Sequence, residues 1–305
     1  MTLIISHTED YTTDFLIEKL NRRKYKYFRL NTDRINLRDI DIHFNREGFC
    51  ELNKFGNFKS VWFRRIKNID HGINNIYLKR YVDDEYKNYL NNLWHCIDAK
   101  WLSSPFEIFK AENKMLQLKL ASKIGFKIPE TLVTTNHDSV LEFCKKYNNK
   151  VIVKPIYSNK YFDGKSSYSI FTSEVDAGSL KNLNDSIPLP SIYQENIPKK
   201  IEIRVTVVGH DVFAASVDSQ SNMETKVDWR RKKLPFKIFN IDDDLKLKCI
   251  RLTSALGLNF AAMDFIVTPN DDFIFLEANP NGQWAWIEID TGLKISNSII
   301  DFLYS

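Results

Sequence analysis

Two apolar segments near the end of the chain each carry one carboxylate, and this pair constrains the fold most strongly. Asp264 lies within Met-Asp-Phe-Ile-Val, and Glu277 lies within Phe-Leu-Glu-Ala-Asn-Pro. Both segments are typical of buried β-strands, in which residues two apart share one face. Glu277 and Asn279 therefore point the same way, and with Asp264 they offer three oxygen ligands of the kind that Mg²⁺ prefers. Taken alone, the pattern fits a pair of strands with one solvated polar face equally well.

The first hundred residues alternate strand and helix signals, which predicts an open α/β sheet. The predicted strands cover residues 3–6, 26–30, 40–44, 48–52 and 60–63, the third and fourth as a hairpin. The predicted helices cover residues 11–23 and 83–100. Ligands of open α/β sheets bind beyond the carboxyl ends of the strands, and Arg64 and Arg65 follow one such end.

Two segments rich in turn-forming residues, Ser103-Ser104-Pro105 and residues 185–190, are predicted domain boundaries. They divide the chain into residues 1–103, 104–189 and 190–305. The middle unit contains predicted helices at 113–124 and 138–147 and predicted strands at 131–134 and 151–154. The last unit is rich in predicted strands, at 202–208, 212–218, 261–267 and 273–278, with a helix at 242–256.

Two lysines stand at the ends of predicted elements. Lys154 follows the apolar strand Val-Ile-Val, and Lys114 follows Asn113 at a helix start. Lysine is a good point-charge partner for phosphate oxygens, although each of these lysines also fits a solvated side chain. The polar loop 158–169, with Gly164 and several hydroxyl groups, could fold over phosphates through its backbone amides.

A further pair of charged residues lies on one face of the predicted strand at 202–208. Glu202 could accept hydrogen bonds from ribose hydroxyls, and Arg204 could bind a phosphate or a carboxylate. A cross-strand ion pair on the protein surface is the alternative, and such pairs contribute little to stability.

Composition indicates the cellular compartment and the kinds of partner more clearly than it indicates the activity. The formal net charge is only +4, with Lys and Arg dispersed among nearly as many acids, which does not support nucleic-acid binding. No apolar stretch approaches the roughly 20 residues that span a bilayer, and the first residues lack the basic start of a signal peptide. Four scattered cysteines without a C-x-x-C pair favour a reducing compartment. We therefore expect a cytoplasmic protein with no membrane partner.

The order of these residues resembles the ATP-grasp fold over roughly residues 105–305. The resemblance is carried, in order, by Lys114, Lys154, Gln-Glu-Asn-Ile at 194–197, Glu-x-Arg at 202–204, Asp264 and Glu-x-Asn at 277–279. Within that superfamily the chain is most similar to the peptide maturases that make graspetides. That similarity rests on Phe-Arg-Leu-Asn-Thr-Asp at 28–33, Val-Trp-Phe-Arg-Arg at 61–65, Val-Asp-Trp-Arg-Arg at 227–231 and Asn-Pro-Asn-Gly-Gln-Trp at 279–284. The implied fold is an N-terminal open α/β pre-ATP-grasp domain followed by a two-part ATP-grasp module.

The resemblance implies a role for each of the residues above. ATP would be bound by Lys114, Lys154, Glu202 and the segment Gln194, Glu195, Asn196 and Ile197, whose backbone would contact adenine. One or two Mg²⁺ ions would be held by Asp264, Glu277 and Asn279. Arg230, and with it Arg204, would face the transferred phosphoryl group.

The implied reaction has two steps. A substrate carboxylate attacks the γ-phosphorus of ATP to give an acyl phosphate, and a hydroxyl or amine then displaces phosphate to form an ester or an amide. In graspetide maturases the carboxylates are Asp or Glu side chains of a ribosomally made precursor peptide, with a leader and an acidic, Thr-rich core, and the acceptors are Thr, Ser or Lys. Arg64 and Arg65 would recognise the acidic side chains, although a purely structural pair explains them equally well. The leader is expected near Gly209-His210-Asp211, and such relatives commonly form homodimers.

Two other functions share much of this pattern. An amino-acid ligase that adds glutamate or another amine to a peptide or protein terminus would use the same ATP and metal residues. It would differ in the first domain and in the acceptor pocket. A nucleotide-dependent peptide-binding module would not need Asp264, Glu277 and Asn279 together. ATP consumption that depends on substrate separates the module from both ligases.

Overall fold

The computed structural model describes residues 1–36, 40–48, 50–53, 57–157, 160–162, 166–176, 178 and 189–305. Its first part contains, in chain order, β1 (Thr2–Ser6), α1 (Tyr11–Arg22), β2 (Tyr27–Asn31), β3 (Asp41–Phe44), β4 (Cys50–Asn53), β5 (Ser60–Phe63), α2 (Ile76–His95) and β6 (Lys100–Trp101). Four strands form a parallel sheet in the order β2-β1-β5-β6, and β3 and β4 form a separate antiparallel hairpin. The predicted open α/β sheet and hairpin are thereby confirmed.

Helix α2 differs from its predicted bounds at both ends. It begins at Ile76, not at Asp83, because the Asn75 side chain accepts hydrogen bonds from two backbone N–H groups of the first turn. It ends at His95, and Lys100 belongs to strand β6 instead.

The middle part contains α3 (Pro105–Ala111), α4 (Lys114–Ile124), β7 (Thr131–Thr134), α5 (His137–Lys146), β8 (Val151–Pro155), β9 (Lys160–Phe162), β10 (Ser167–Ser169), β11 (Ser173–Glu174) and β12 (Ser191–Glu195). An antiparallel sheet has the order β11-β8-β12-β7. The prediction of a loop at 158–169 was wrong in part, because β9 and β10 pair as a hairpin with Tyr161 opposite Tyr168. Gly164 of that loop, and residues 185–188 of the second predicted boundary, lie outside the described residues.

The last part contains β13 (Ile201–Val208), β14 (Asp211–Val217), β15 (Lys237–Ile238), α6 (Asp243–Ala255), β16 (Phe260–Val267), β17 (Phe273–Asn279), α7 (Ala285–Thr291) and α8 (Ile295–Tyr304). Its strands form an antiparallel sheet in the order β15-β14-β13-β16-β17. Every residue of β16 is buried, including Asp264, and its other seven residues are apolar. Helices α7 and α8 were not predicted.

The N-terminal sheet packs directly against the last part of the chain. Leu3 and Trp94 belong to the same buried cluster as Val205 and Phe265 of the antiparallel sheet. The Ser60 hydroxyl donates a 2.7 Å hydrogen bond to a backbone oxygen of α8. This packing places the carboxyl end of β5 beside the turn that follows β17. In the described part of the chain, no helix has both the length and the apolar character required to cross a bilayer.

Candidate functional site

A single cleft of about 1200 Å³ collects the residues predicted from the sequence. The ends of β8, β12, β13, β16 and β17 contribute to its walls, together with the start of α4 and the segment after β5. The predicted residues that line it are Arg64, Arg65, Lys114, Lys154, Gln194, Glu195, Asn196, Ile197, Glu202, Arg204, Arg230, Asp264, Glu277 and Asn279. Residues far apart in the chain therefore meet in one place.

The carboxylates lie on paired strands. Asp264 of β16 is directly opposite Glu277 of β17, and the register shifts immediately after this pair, so that Phe265 faces Phe275. Such a bulge changes the direction in which neighbouring side chains point. The Asn279 amide nitrogen lies 3.2 Å from Asp264 Oδ2, which brings the third predicted ligand to the same spot.

Magnesium fits this donor set. The set has two carboxylates and one amide, and Mg²⁺ accepts a few protein oxygens when water and phosphate oxygens complete its shell. Within the described ranges, no three His, Cys, Asp or Glu side chains cluster as a metal site.

Three cationic side chains surround Glu277. Lys114 Nζ and Arg230 Nη1 each lie 3.7 Å from one of its carboxylate oxygens. Burial alone would raise the pKa of Glu277, but the positive charges of Lys154, Lys114 and Arg230 hold that pKa below its usual value. The pKa of Lys154 is lowered to about 8, mainly by burial; Glu277 opposes this shift, and Lys114 and Arg230 contribute to it. These cations are concentrated where phosphate groups would add negative charge.

Each of the two arginines predicted to face the phosphoryl group, Arg204 and Arg230, is hydrogen-bonded to a carboxylate. Arg204 Nη1 donates to both oxygens of Asp264, and Arg230 makes two 2.8 Å hydrogen bonds to the Asp228 carboxylate. Asp228 also accepts from the backbone N–H of Arg230 and is buried. Two such hydrogen bonds fix the plane of a guanidinium group, so Arg230 enters the cleft in one orientation. The role of Asp228 was not predicted, although an acid two residues before Arg230 is a signal that could have found it.

The α4–β17 contact depends on one buried glutamine that sequence reasoning missed. Gln117 Nε2 donates 2.7 Å hydrogen bonds to the carbonyl groups of Ala111 and Ala278, and its Oε1 accepts from the Ala278 N–H. Asn113 caps the start of α4 by accepting from the Leu116 N–H. Together they hold Lys114, in the first turn of α4, against Glu277 on β17.

The segment predicted to bind the nucleoside lies at the end of β12. The backbone N–H groups of Glu195 and Asn196 already bond to the carbonyls of Glu130 and Lys150. Among the described residues, only the N–H of Ile197 has no such partner in the predicted segment.

The predicted ribose ligand has a partner that the sequence did not reveal. The Lys199 ammonium lies 3.1 Å from Glu202 Oε1 and also donates to the Val227 carbonyl. Burial raises the pKa of Glu202, and Lys199 opposes the rise. Lys199 thus stabilises the charged, hydrogen-bond-accepting form of this buried acid.

The two arginines predicted to contact substrate differ sharply. Arg64 is only 1% exposed, and its guanidinium contacts Asn281 Oδ1 at 3.0 Å and Asp10 Oδ2 at 3.4 Å. Burial lowers the pKa of Arg64 to about 10, while Asp10 opposes the shift. Arg65 is exposed and lines the cleft. These contacts favour a positioning role for Arg64 and leave Arg65 as the candidate for substrate contact.

Comparison with known protein families identifies the class of protein. A RimK-like ATP-grasp domain matches residues 111–303, and an MvdD pre-ATP-grasp domain matches residues 1–108. The first match alone covers more than half of the chain. The protein therefore belongs to the RimK-like ATP-grasp ligases, with a pre-ATP-grasp domain in front of the ATP-grasp domain.

Three solved structures resemble the whole chain. The RiPP-associated ATP-grasp ligase of Chryseobacterium gregarium, solved with ADP and a leader and core peptide, is 30% identical with a TM-score of 0.87 over 99% of this chain and 96% of its own. Macrocyclase MdnB of Microcystis aeruginosa MRC is 30% identical with a TM-score of 0.77, over 99% and 98%. Macrocyclase MdnC, bound to precursor peptide MdnA, is 24% identical with a TM-score of 0.84 over 99% of each chain, which shows the shared fold. These comparisons give no support to the expected homodimer.

Curated relatives are more distant and match less of the chain. The alpha-aminoadipate–LysW ligase LysX of Sulfurisphaera tokodaii is 25% identical over 199 residues, or 62% of this chain and 66% of that protein. A probable alpha-L-glutamate ligase of Haemophilus influenzae is 24% identical over 206 residues, or 66% of each. This chain thus spans just under two thirds of the length of the curated relatives.

Proposed function

We propose that the protein is an Mg-ATP-dependent peptide macrocyclase. It would activate Asp or Glu side chains of a ribosomally made precursor peptide as acyl phosphates and join them to Thr, Ser or Lys side chains. One observation carries the proposal. The resemblance to the Chryseobacterium gregarium ligase, which was solved with a leader and core peptide, extends over 99% of the chain at 30% identity, including the N-terminal domain.

The cleft supplies the charge that such a reaction requires. A carboxylate and a γ-phosphate repel one another, so catalysis depends on neutralising and aligning them. Lys114 and Lys154 would bind ATP phosphates, because both lie beside Glu277 and Lys154 is partly buried. Arg230 would contact the transferred phosphoryl group in the orientation that Asp228 imposes.

Asp264, Glu277 and Asn279 would hold magnesium, which when bound would neutralise phosphate charge. Arg204 is committed to Asp264, so its contribution would be to position that ligand. In the first step a substrate carboxylate oxygen bonds to the γ-phosphorus as ADP leaves. In the second step a hydroxyl or amine bonds to the acyl carbon, loses its proton, and phosphate leaves.

Exposed cationic side chains in the cleft lining suit an acidic peptide. Among the cationic residues that line the cleft, Arg65, Lys232 and Lys233 are exposed, whereas Arg64 is buried. We propose that Arg65 contacts acidic side chains of the core. The predicted leader contact at Gly209-His210-Asp211, which forms the β13–β14 turn, remains a prediction. The domain limits at 1–103, 104–189 and 190–305 likewise remain predictions.

An amino-acid ligase is the second candidate, and the curated relatives favour it. Their names describe ligases that act with alpha-aminoadipate or glutamate. The proposed ATP and magnesium residues serve either activity, so the decision rests on the peptide that is bound and on the acceptor.

Intact-mass measurement tests the proposal. The protein would be incubated with Mg-ATP and a Thr-rich, acidic peptide encoded beside its gene, and ADP release would be followed in parallel. We expect the loss of one water per bond formed, with matching ADP release, and no loss with the Glu277→Gln variant. An unchanged mass despite nucleotide binding would refute the macrocyclase proposal. A mass gain equal to an added amino acid would instead identify a terminal ligase.

A further inference from the structure

One carboxylate in the cleft is not bound by any neighbouring group. The acidic residues in the described lining are Glu112, Glu195, Glu202, Asp228, Asp264 and Glu277. Glu195 accepts a hydrogen bond from a backbone N–H, and four others are paired with a lysine or an arginine. Within the described residues, the Glu112 carboxylate has neither a hydrogen bond nor an ion pair. It is therefore free to interact with a molecule bound in the cleft.

The backbone around Glu112 is fixed close to the cationic part of the cleft. The Ala111 carbonyl, immediately before it, accepts a 2.7 Å hydrogen bond from the buried Gln117 side chain. Lys114, whose Nζ lies 3.7 Å from Glu277, follows two residues later. The Cα atoms of Glu112 and Lys114 are therefore at most about 7 Å apart. Glu112 thus stands on the cleft wall beside the Lys114–Glu277 pair.

The surroundings of Glu112 favour a proton acceptor. Burial raises the pKa of Glu112, and the positive charge of Arg65 opposes the rise. Phe109, three residues earlier, also lines the cleft and is 46% exposed, so apolar surface adjoins the carboxylate. A carboxylate whose pKa is moved toward neutrality is a more effective base. Since Arg65 is proposed to contact the acidic core, a peptide bound there would lie against Glu112.

The second step of the proposed reaction releases a proton, and that proton needs an acceptor. We propose that Glu112 is the general base that takes it from the attacking hydroxyl or amine. The acceptor oxygen or nitrogen bonds to the acyl carbon, and the bond from that carbon to the phosphate oxygen breaks. Phosphate leaves with the electron pair of this bond, and Glu112 later returns its proton to solvent. The inference rests on the proposed function.

Lys154 is a competing candidate for this base, because its pKa is about 8. Its proposed place beside the phosphates of ATP would favour the ammonium form, which has no lone pair to accept a proton. Glu112 is negatively charged at neutral pH and has no such competing role.

Trapping with hydroxylamine separates the two steps of the reaction. Hydroxylamine is uncharged at neutral pH and attacks acyl phosphates without a base, so it converts an activated carboxyl group into a hydroxamate. The protein would be incubated with Mg-ATP and the Thr-rich, acidic peptide, with and without hydroxylamine, and the peptide mass would be followed over time. We expect Glu112→Gln to slow cross-linking by about 100-fold and to form hydroxamate at the wild-type rate.

Glu107→Gln is the matched control. Glu107 lies on the same helix, is paired with Lys110 and is not part of the described cleft lining. This variant should cross-link at the wild-type rate. If Glu112→Gln does not fold, Glu112→Asp decides, because its carboxylate is one methylene further from the bound peptide. Glu112→Asp should slow cross-linking and leave hydroxamate formation unchanged.

Two results would overturn the inference and leave the proposed function intact. One is cross-linking at the wild-type rate in the Glu112 variant. The other is an equal loss of cross-linking and of hydroxamate, which would assign Glu112 a structural role in the cleft. Wild-type protein that binds ADP but forms neither product would overturn the proposed function itself.

Discussion

Arg204 Nη1 lies 2.8 Å from Oδ1 and 3.0 Å from Oδ2 of Asp264, on directly paired positions of β13 and β16. Both side chains are buried. Burial raises the pKa of Asp264, and the guanidinium of Arg204 opposes that rise. The arginine therefore favours the ionised form of a carboxylate that we propose as a magnesium ligand.

Replacing Arg204 with methionine should leave the buried Asp264 carboxylate without this cationic partner. We expect Arg204→Met to lower the free energy of unfolding by about 3–5 kcal/mol, measured by urea denaturation near neutral pH. The pKa of Asp264 would rise further above the value of about 3.9 in the unfolded chain. Above that pH the folded protein retains a proton that the unfolded chain releases, so stability should fall as pH increases.

The double variant Arg204→Met/Asp264→Asn is the control for this prediction, because it removes the buried charge together with its partner. It should recover much of the lost stability. A double variant as unstable as Arg204→Met alone would show that the unpaired Asp264 carboxylate does not cause the loss of stability.

Gly282 allows the turn after β17 to approach the buried arginine closely. A Cβ atom at this position would lie 2.6 Å from the Ala262 Cβ and 2.7 Å from Arg204 Nη2. We expect Gly282→Ala to destabilise the fold by about 1–3 kcal/mol through overpacking and to weaken activity by displacing Arg204 from Asp264. Thermal unfolding and ADP release would report the two effects.

Gly72→Ala serves as the comparison, since Gly72 has a positive φ of 63° but, its chain neighbours aside, no atom of the described residues lies within 4 Å of the added carbon. It introduces backbone strain without a clash and lies outside the cleft lining. It should leave ADP release at the wild-type rate. Equal losses of activity in both variants would argue against the proposed steric cause.

Gln117 should be important for positioning Lys114 although it carries no charge. Gln117→Met leaves the buried N–H and C=O of Ala278 without their partners, which costs about 1–3 kcal/mol. Because α4 would lose these hydrogen bonds to β17, we also expect a higher KM for ATP. The control Gln220→Met removes a partly exposed amide that donates to the Lys226 carbonyl. It should change neither the free energy of unfolding nor the KM for ATP. An unaltered KM in Gln117→Met would contradict the positioning role.

Lys154 should destabilise the protein when no nucleotide is bound. Its pKa of about 8 lies below the unfolded value of about 10.4, so the folded state disfavours the ammonium form. The penalty is complete below about pH 8 and is relieved as pH rises through the window to about 10.4, where the unfolded chain binds more protons. Lys154→Met should therefore unfold at a higher temperature than wild type at neutral pH, and the difference should shrink in that window.

The same Lys154→Met variant should lose ATP binding. Lys119→Met, an exposed position on α4, provides the charge-matched control and should show no such pH-dependent difference. A Lys154→Met protein less stable than wild type at neutral pH would show that the ammonium group is stabilised by its neighbours instead.

Local sequence patterns predicted the parts of the site that depend on local geometry. Strand periodicity singled out Asp264, Glu277 and Asn279, and the ends of predicted elements singled out Lys114 and Lys154, but their proposed ligand roles rested on the resemblance to the ATP-grasp fold. Gln117 was missed because its partners include Ala278, 161 residues away, and nothing in a helical sequence distinguishes such a glutamine from a solvated one. The β9–β10 hairpin was missed for another reason, since the whole segment 158–169 is rich in Ser, Lys, Asn and Gly and has the composition of a loop.

The position of Arg64 at the end of β5 was predicted from the sequence, but its burial was not. Its burial depends on packing between two domains that are distant in sequence. The sequence alone left substrate contact and a structural role as equal alternatives. The contacts with Asp10 and Asn281 favour the structural one.

The contacts of Arg64 also limit how the domains of this protein can be exchanged with those of related proteins. Arg64, which follows β5, and Asp10, which caps α1, belong to the N-terminal domain, while Asn281 and Gly282 belong to the turn just after the proposed magnesium ligand Asn279. A chimera that exchanges the first domain for one without a matching arginine would leave that turn unsupported. Under the proposed function, peptide recognition and phosphate chemistry would therefore be inherited together, and grafting a new N-terminal domain would require transferring both sides of this contact.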